Sequence, residues 1–277
     1  PPLQRRGTAG QGETQHRRRA VLGLALAGGA AALQWGSVQG DLLAPTALLA
    51  IVAGVVLVAV SLPQLVPSGT LRSVRGLPSV IAVRGLLAGC FFGAEAFVPL
   101  MLVTERSLAP AVAGLALTGG AVGWAAGAHL QGRPGLQVRR YALLTAGGLL
   151  LSVSVAALVV VLADPVPPLV LLVIWTVAGL GMGLGMASTS VLMLGLSPRG
   201  AEGRNSASLQ VSQALGSVVG IGAAGAVFAA MHTRAGADAG AFLAIWSGLA
   251  VIGLLAAFVG SRARPAAPAP APSTSLA

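Results

Sequence analysis

The chain has no lysine, a single cysteine and very little charge of either sign. Its 17 basic residues are all arginine, its acidic residues number 7, and charged residues make up 9% of 277. An ordinary soluble domain carries about 25%. That shortfall, with 55% hydrophobic residues and a mean hydropathy of +0.86, excludes a soluble domain and marks an integral membrane protein. The lack of lysine reads as the compositional bias of a GC-rich genome. Cys90 lies inside an apolar run, so no disulfide framework is available. With one cysteine and 3 histidines, zinc-ligand spacing is absent, and no metal site is expected. No phosphate-binding loop is present, so an ATP-driven transporter would need another subunit. No enzyme constellation and no cofactor is expected.

A net charge of +10 and a pI near 11.8 invite a nucleic-acid reading. The placement of the arginines argues against it. They fall in short blocks between apolar runs, as the positive-inside rule produces, and no nucleic-acid partner is expected.

Residues 1–19 are polar and basic, ending in His16-Arg17-Arg18-Arg19, and the run Ala20 to Trp35 follows. An arginine-rich start, a short apolar core and small residues could spell a secretory signal peptide. The further runs of the same kind favour a first membrane helix. Eight spans are predicted, at about 20–35, 45–66, 79–104, 108–130, 141–162, 167–195, 206–230 and 240–260. The fold class expected is an all-α polytopic bundle. Residues 67–78 form a basic loop with Arg72 and Arg75. The Ala/Pro-rich tail, 261–277, is expected to be disordered. The chain opens Pro-Pro without Met, as a fragment or a processed product would.

Arginine counts orient the spans. With the N-terminus in the cytoplasm, the inside loops hold Arg17, Arg18 and Arg19, Arg72 and Arg75, Arg133, Arg139 and Arg140, Arg199 and Arg204, and Arg262 and Arg264. Outside fall Arg106 and Arg234, with Asp41, Glu105, Asp164 and Asp238. This asymmetry puts both termini inside, in a multi-pass protein of the cell membrane. The last six spans form two successive triplets of opposite orientation, the pattern of inverted repeats in half of a transporter.

Glycines recur every fourth residue within several spans: Gly85, Gly89 and Gly93; Gly119, Gly123 and Gly127; Gly179 and Gly183; Gly181 and Gly185; Gly216 and Gly220. Small residues at this period let helix backbones approach closely.

Two segments carry a resemblance. RGLLAGCFFGAEAFVPLMLVTERSLAPAVAGLALTGGAVGWAAGAHLQGR, from Arg84, looks like the start of the C-terminal half of major facilitator superfamily (MFS) permeases. EGRNSASLQVSQALGSVVGIGAAGAVF, from Glu202, resembles the penultimate helix of the fourteen-span drug:proton antiporter group. The resemblance covers roughly residues 14–262. It implies that 79–260 is a C-terminal six-helix MFS half and that 20–66 is the hairpin inserted between halves. An N-terminal six-helix half, not in this sequence, is then the implied partner. Gly127, Gly132, Arg133, Arg139 and Arg140 fit the family's cytoplasmic loop motif, while Gln131 stands where the family often has Asp.

Glu95 is the candidate for proton or cation binding. An ionisable group in mid-span costs on the order of 3 kcal/mol and usually faces a protein interior or a watery path. With Arg84 taken as the inner interface, Glu95 lies roughly 16 Å deep. Pro99 weakens the helix beside it, which suits a kinked or moving gate. Gln210, Gln213, Thr118 and Trp124 are candidate substrate-cavity residues. Trp35, Trp175 and Tyr141 read as interfacial belt anchors. The methionines 182, 186 and 193 read as helix packing. The function expected is alternating-access transport of small molecules, with proton-coupled efflux of amphipathic or drug-like compounds in first place. The implied partners are lipid, a small-molecule substrate and protons. A metabolite uptake permease and a non-transporting truncated membrane protein are the alternatives.

Overall fold

The computed structural model describes residues 4–37, 44–163, 166–232 and 238–265. Asp41, Asp164, Arg234 and the tail from 266, which entered the topology and tail expectations, lie outside the described residues. The described chain is helical throughout: α1 (Gln4–Ser37), α2 (Pro45–Leu65), a 3-10 turn (Thr70–Arg72), α3 (Leu77–Thr104), α4 (Pro110–Gln131), α5 (Pro134–Gln137), α6 (Arg140–Ala163), α7 (Pro168–Leu196), α8 (Glu202–Met231) and α9 (Ala239–Ser261). Seven of these helices, α2 to α4 and α6 to α9, are long and apolar enough to cross a membrane. The protein is therefore a polytopic helical membrane protein.

Two features differ from the sequence expectation. α1, expected to hold the first span, is not among the seven; it is one continuous helix from Gln4, so the basic segment and the apolar run are not separate pieces. Arginine, glutamine, glutamate and alanine are all good helix formers, and no proline stands between Gln4 and Ser37 to break the helix, although glycines recur in it. The loop between α4 and α6 also contains the extra turn α5, started by Pro134 at its first position, where a missing N–H costs nothing.

The predicted starts of most other helices have a visible cause. α2, α4 and α7 each begin on a proline, and α3 has Pro78 in its first turn.

The main pairings among the helices from α3 to α9 follow one rule, which the lesser contacts of α8 with α9 and of α3 with α6 do not share. α3 packs along α8, α4 along α7, α6 along α9, α6 along α7 and α3 along α9, and α3 also touches α7. Exchanging α3 with α7, α4 with α8 and α6 with α9 turns each of these pairings into another of the same set. The six helices therefore form two triplets related by an approximate two-fold exchange. α1 and α2 form a hairpin whose α1 leans on α8.

Glycine sets the register of the closest crossings. Gly85, Gly89 and Gly93 of α3 abut Ser212, Gly216 and Gly220 of α8, so these helices run parallel. Gly119, Gly123 and Gly127 of α4 abut Leu172, Thr176 and Leu180 of α7 in the same sense. A methyl on Gly89 would stand 2.9 Å from the Gly216 carbonyl oxygen, closer than side chains are found. Backbones can approach this closely only where no Cβ intervenes.

Side-chain hydroxyls and the thiol close the bundle against carbonyls of neighbouring helices. Ser212 Oγ donates to Ile81 O at 2.7 Å, Ser152 Oγ to Ala250 O at 2.7 Å and Cys90 Sγ to Leu249 O at 3.1 Å. Ser208 Oγ donates to Leu65 O at 2.7 Å and ties α8 to the end of α2.

Candidate functional site

α3 is the central helix of the bundle and carries two charged residues away from its ends, Arg84 and Glu95. It begins at Leu77 and runs 28 residues. Arg84 is therefore two turns inside the helix, and Glu95 lies beyond its middle.

Arg84 is only 8% exposed. Its Nε donates to Gln213 Oε1 of α8 at 2.9 Å. Its Nη1 lies 2.9 Å from three acceptors of α7: the Met186 carbonyl, Thr189 Oγ1 and Ser190 Oγ. Thr189 and Ser190 hold their hydroxyls by donating to the same Met186 carbonyl, at 2.7 Å and 3.3 Å. One guanidinium thus joins α3, α7 and α8 at the centre of the fold. The sequence reading did not single out Arg84 as a site residue. The signal available was a charge at helical depth with Ser/Thr-rich and Gln-bearing spans elsewhere in the chain.

Glu95 is half-buried and makes no hydrogen bond to a described residue. Eleven residues separate it from Arg84, and at 100° per residue both project from nearly the same face of α3, about 16 Å apart. Pro99, one turn later, has no N–H to offer the Glu95 carbonyl. The helix backbone is therefore open where the carboxylate sits.

Between the two charges stands an aromatic cluster. Phe91 stacks on Trp175 of α7 with centroids 5.3 Å apart and meets Trp124 of α4 edge-on at 5.5 Å. Phe92, beside Glu95, lies 6.1 Å from Trp124. Trp175 is fully buried, not an interfacial anchor as expected; Phe91 from a distant span covers it. Its indole N–H has no hydrogen-bond partner among the described residues. Trp246 is likewise a packing residue, stacked against Phe242.

The other sequence candidates are scattered. Gln213 belongs to the Arg84 cluster. Gln210, one turn earlier on α8, is exposed. Thr118 is exposed and lines an apolar groove between α4 and α7 with Leu115, Val122 and Leu172. Trp124 is half-buried under Phe91 and Phe92. The loop-motif positions sit around α5: Gly127 packs against the Leu180 carbonyl, Gln131 is buried, Arg133 and Arg139 are exposed, and Arg140 is half-buried. They form no ion pair among the described residues. At the opposite end of α3, the Asp238 backbone N–H donates to Glu105 Oε1 at 3.2 Å, and His232 Nδ1 lies 2.8 Å from Asp238 Oδ2.

A scan against protein-family models matched nothing, and neither did a search of curated proteins.

Proposed function

We propose that the chain is a half-unit of an alternating-access membrane transporter of the MFS type, with α1 as an eighth span. The observation that carries this reading is the two-fold exchange of helix pairings between α3–α4–α6 and α7–α8–α9. Two triplets packed in this way supply a rigid body that can rock against a second such body around a midplane site. The second body would be another six-helix unit, on the same polypeptide or on a separate one. α4 and α8, which the exchange relates, are the two least covered of the six long helices, and the reading places that unit against them.

In this reading Glu95 takes up and releases a proton as the substrate site alternates between the two sides. A carboxylate without a hydrogen-bond partner among the described residues, on a helix opened by Pro99, suits a group that must exchange with water. Substrates would be small and amphipathic, moving outward across the cell membrane.

The test is flux in inside-out vesicles from cells expressing the gene product, with ethidium and 1-naphthoate as amphipathic probes of opposite charge. A pH gradient should drive uptake of at least one probe, and Glu95→Gln should uncouple it from the gradient. Coupling that survives Glu95→Gln removes the proton role. Absence of driven flux of both probes removes the transport reading.

A further inference from the structure

Arg84 is a buried cation whose partners are all neutral. A guanidinium stays protonated in any protein environment. Taking a charge out of water costs several kcal/mol, and hydrogen bonds to uncharged groups return only part of it. Its four acceptors are a carbonyl, two hydroxyls and an amide oxygen. No carboxylate pairs with it among the described residues; Asp238 engages His232 instead. Glu95 is about 16 Å along α3, and Glu202 is as far from Gln213 along α8. Glu105 and Asp238 engage each other at the far end of the helix. The nearest basic neighbour on α8 is Arg204, nine residues before Gln213, and it adds positive charge.

The cluster has also kept two donors in reserve. Nη2 of Arg84 and Nε2 of Gln213 make no hydrogen bond to a described residue, and neither is among the sealed polar atoms that lack a partner. They belong to side chains already held together through Nε and Oε1 at 2.9 Å. Two fixed donors beside one uncompensated positive charge match a group with two oxygens and one negative charge. A dianionic phosphate would bring surplus charge and further lone pairs that this cluster has no donors to meet. Ile81, Leu87 and Ala88, within about one turn of Arg84 on α3, are apolar and buried.

We propose that Arg84 and Gln213 form a recognition site for the carboxylate of an amphipathic monoanion. This rests on the transport reading, in which that monoanion is the solute, and it names the chemical class. Thr189, Ser190 and the Met186 carbonyl are positioning groups that hold Nη1 so that the Nη2 side faces the ligand.

Equilibrium dialysis of 1-naphthoate against the chain in phosphatidylcholine nanodiscs, with empty nanodiscs subtracted, tests the site without needing flux. 1-Naphthamide has the same shape without the charge, and 1-naphthyl phosphate carries the surplus one. Naphthoate should bind at least about tenfold more tightly than either, and Arg84→Gln should remove about tenfold or more. Should Arg84→Gln fail to fold, Gln213→Glu keeps the arginine and supplies an internal carboxylate. It should abolish naphthoate binding and raise thermal stability. Equal binding of naphthoate and naphthamide overturns the site, as does unchanged naphthoate binding in Gln213→Glu. Binding without vesicle flux removes the transport reading and leaves the site; ethidium flux without naphthoate binding does the reverse.

Discussion

The α-carbon of Gly216 rests on the carbonyl oxygen of Gly85, and a methyl group added to Gly216 would overlap that oxygen. The obstacle is backbone on both sides, so neither helix can relieve it by a rotamer change. Gly216→Ala should therefore push α3 and α8 apart at a cost of about 1–3 kcal/mol. Gly114→Ala on α4 meets nothing within 4 Å and should be neutral or slightly stabilising. Thermal unfolding of both variants in the same detergent checks this, and equal melting temperatures would refute the close-packed crossing.

Thr189→Val keeps the shape of the side chain and removes one of three acceptors at Arg84 Nη1. The Met186 carbonyl and Ser190 Oγ remain, so the loss should be about 0.6 kcal/mol, the mean for single hydrogen bonds between membrane helices, and no more than about 1.7 kcal/mol. Chemical denaturation should show it. A Thr189→Val, Ser190→Ala pair should lose more than the sum of the singles, because Nη1 then keeps one acceptor in the core.

Pro99→Ala restores an N–H one turn after Glu95 and lets the Glu95 carbonyl complete its helix bond. The variant should melt at a higher temperature than the parent. If α3 works as a gate, the same variant should slow driven flux, and a more stable protein with unchanged flux would separate the proline from the gating motion.

Cys90 is fully buried and hydrogen-bonded to Leu249 O. It should resist maleimide labelling in intact membranes and react once the protein is denatured. In a Cys90→Ala background, Glu95→Cys should label with a membrane-impermeant reagent, since Glu95 is half-buried and the proposed route exposes it to water. A parent Cys90 that labels as fast as Glu95→Cys would contradict the packing of α3 on α9.

Helix positions were legible because their causes are local: prolines start α2, α4 and α7, and apolar runs of span length follow. The four-residue glycine repeats were legible too. What they pack against was not, because pairing is a long-range property: Ser212 reaches Ile81 across 131 residues. Trp175 was misplaced for the same reason. It was read from its depth in its own span, while Phe91, 84 positions away, decides its burial. Gln4 to His16 carry no apolar period, so the extension of α1 left no pattern to read.

The shell around Arg84 has a consequence for biosynthesis. Its acceptors lie 102 to 129 residues later in the chain. At about 5–20 residues per second, the ribosome needs roughly 5–25 s to supply them after α3 has emerged. α3 must therefore enter the bilayer with its guanidinium unshielded, at a cost below the about 2.5–3.5 kcal/mol of an arginine at helix centre, because Arg84 is the eighth of 28 residues. The leucine, isoleucine, phenylalanine and valine residues of α3 offset it at about 0.3–0.6 kcal/mol each. The strongly apolar character of α3 thus serves the nascent chain first: it carries a charge across a stage of synthesis at which the final fold cannot yet receive it.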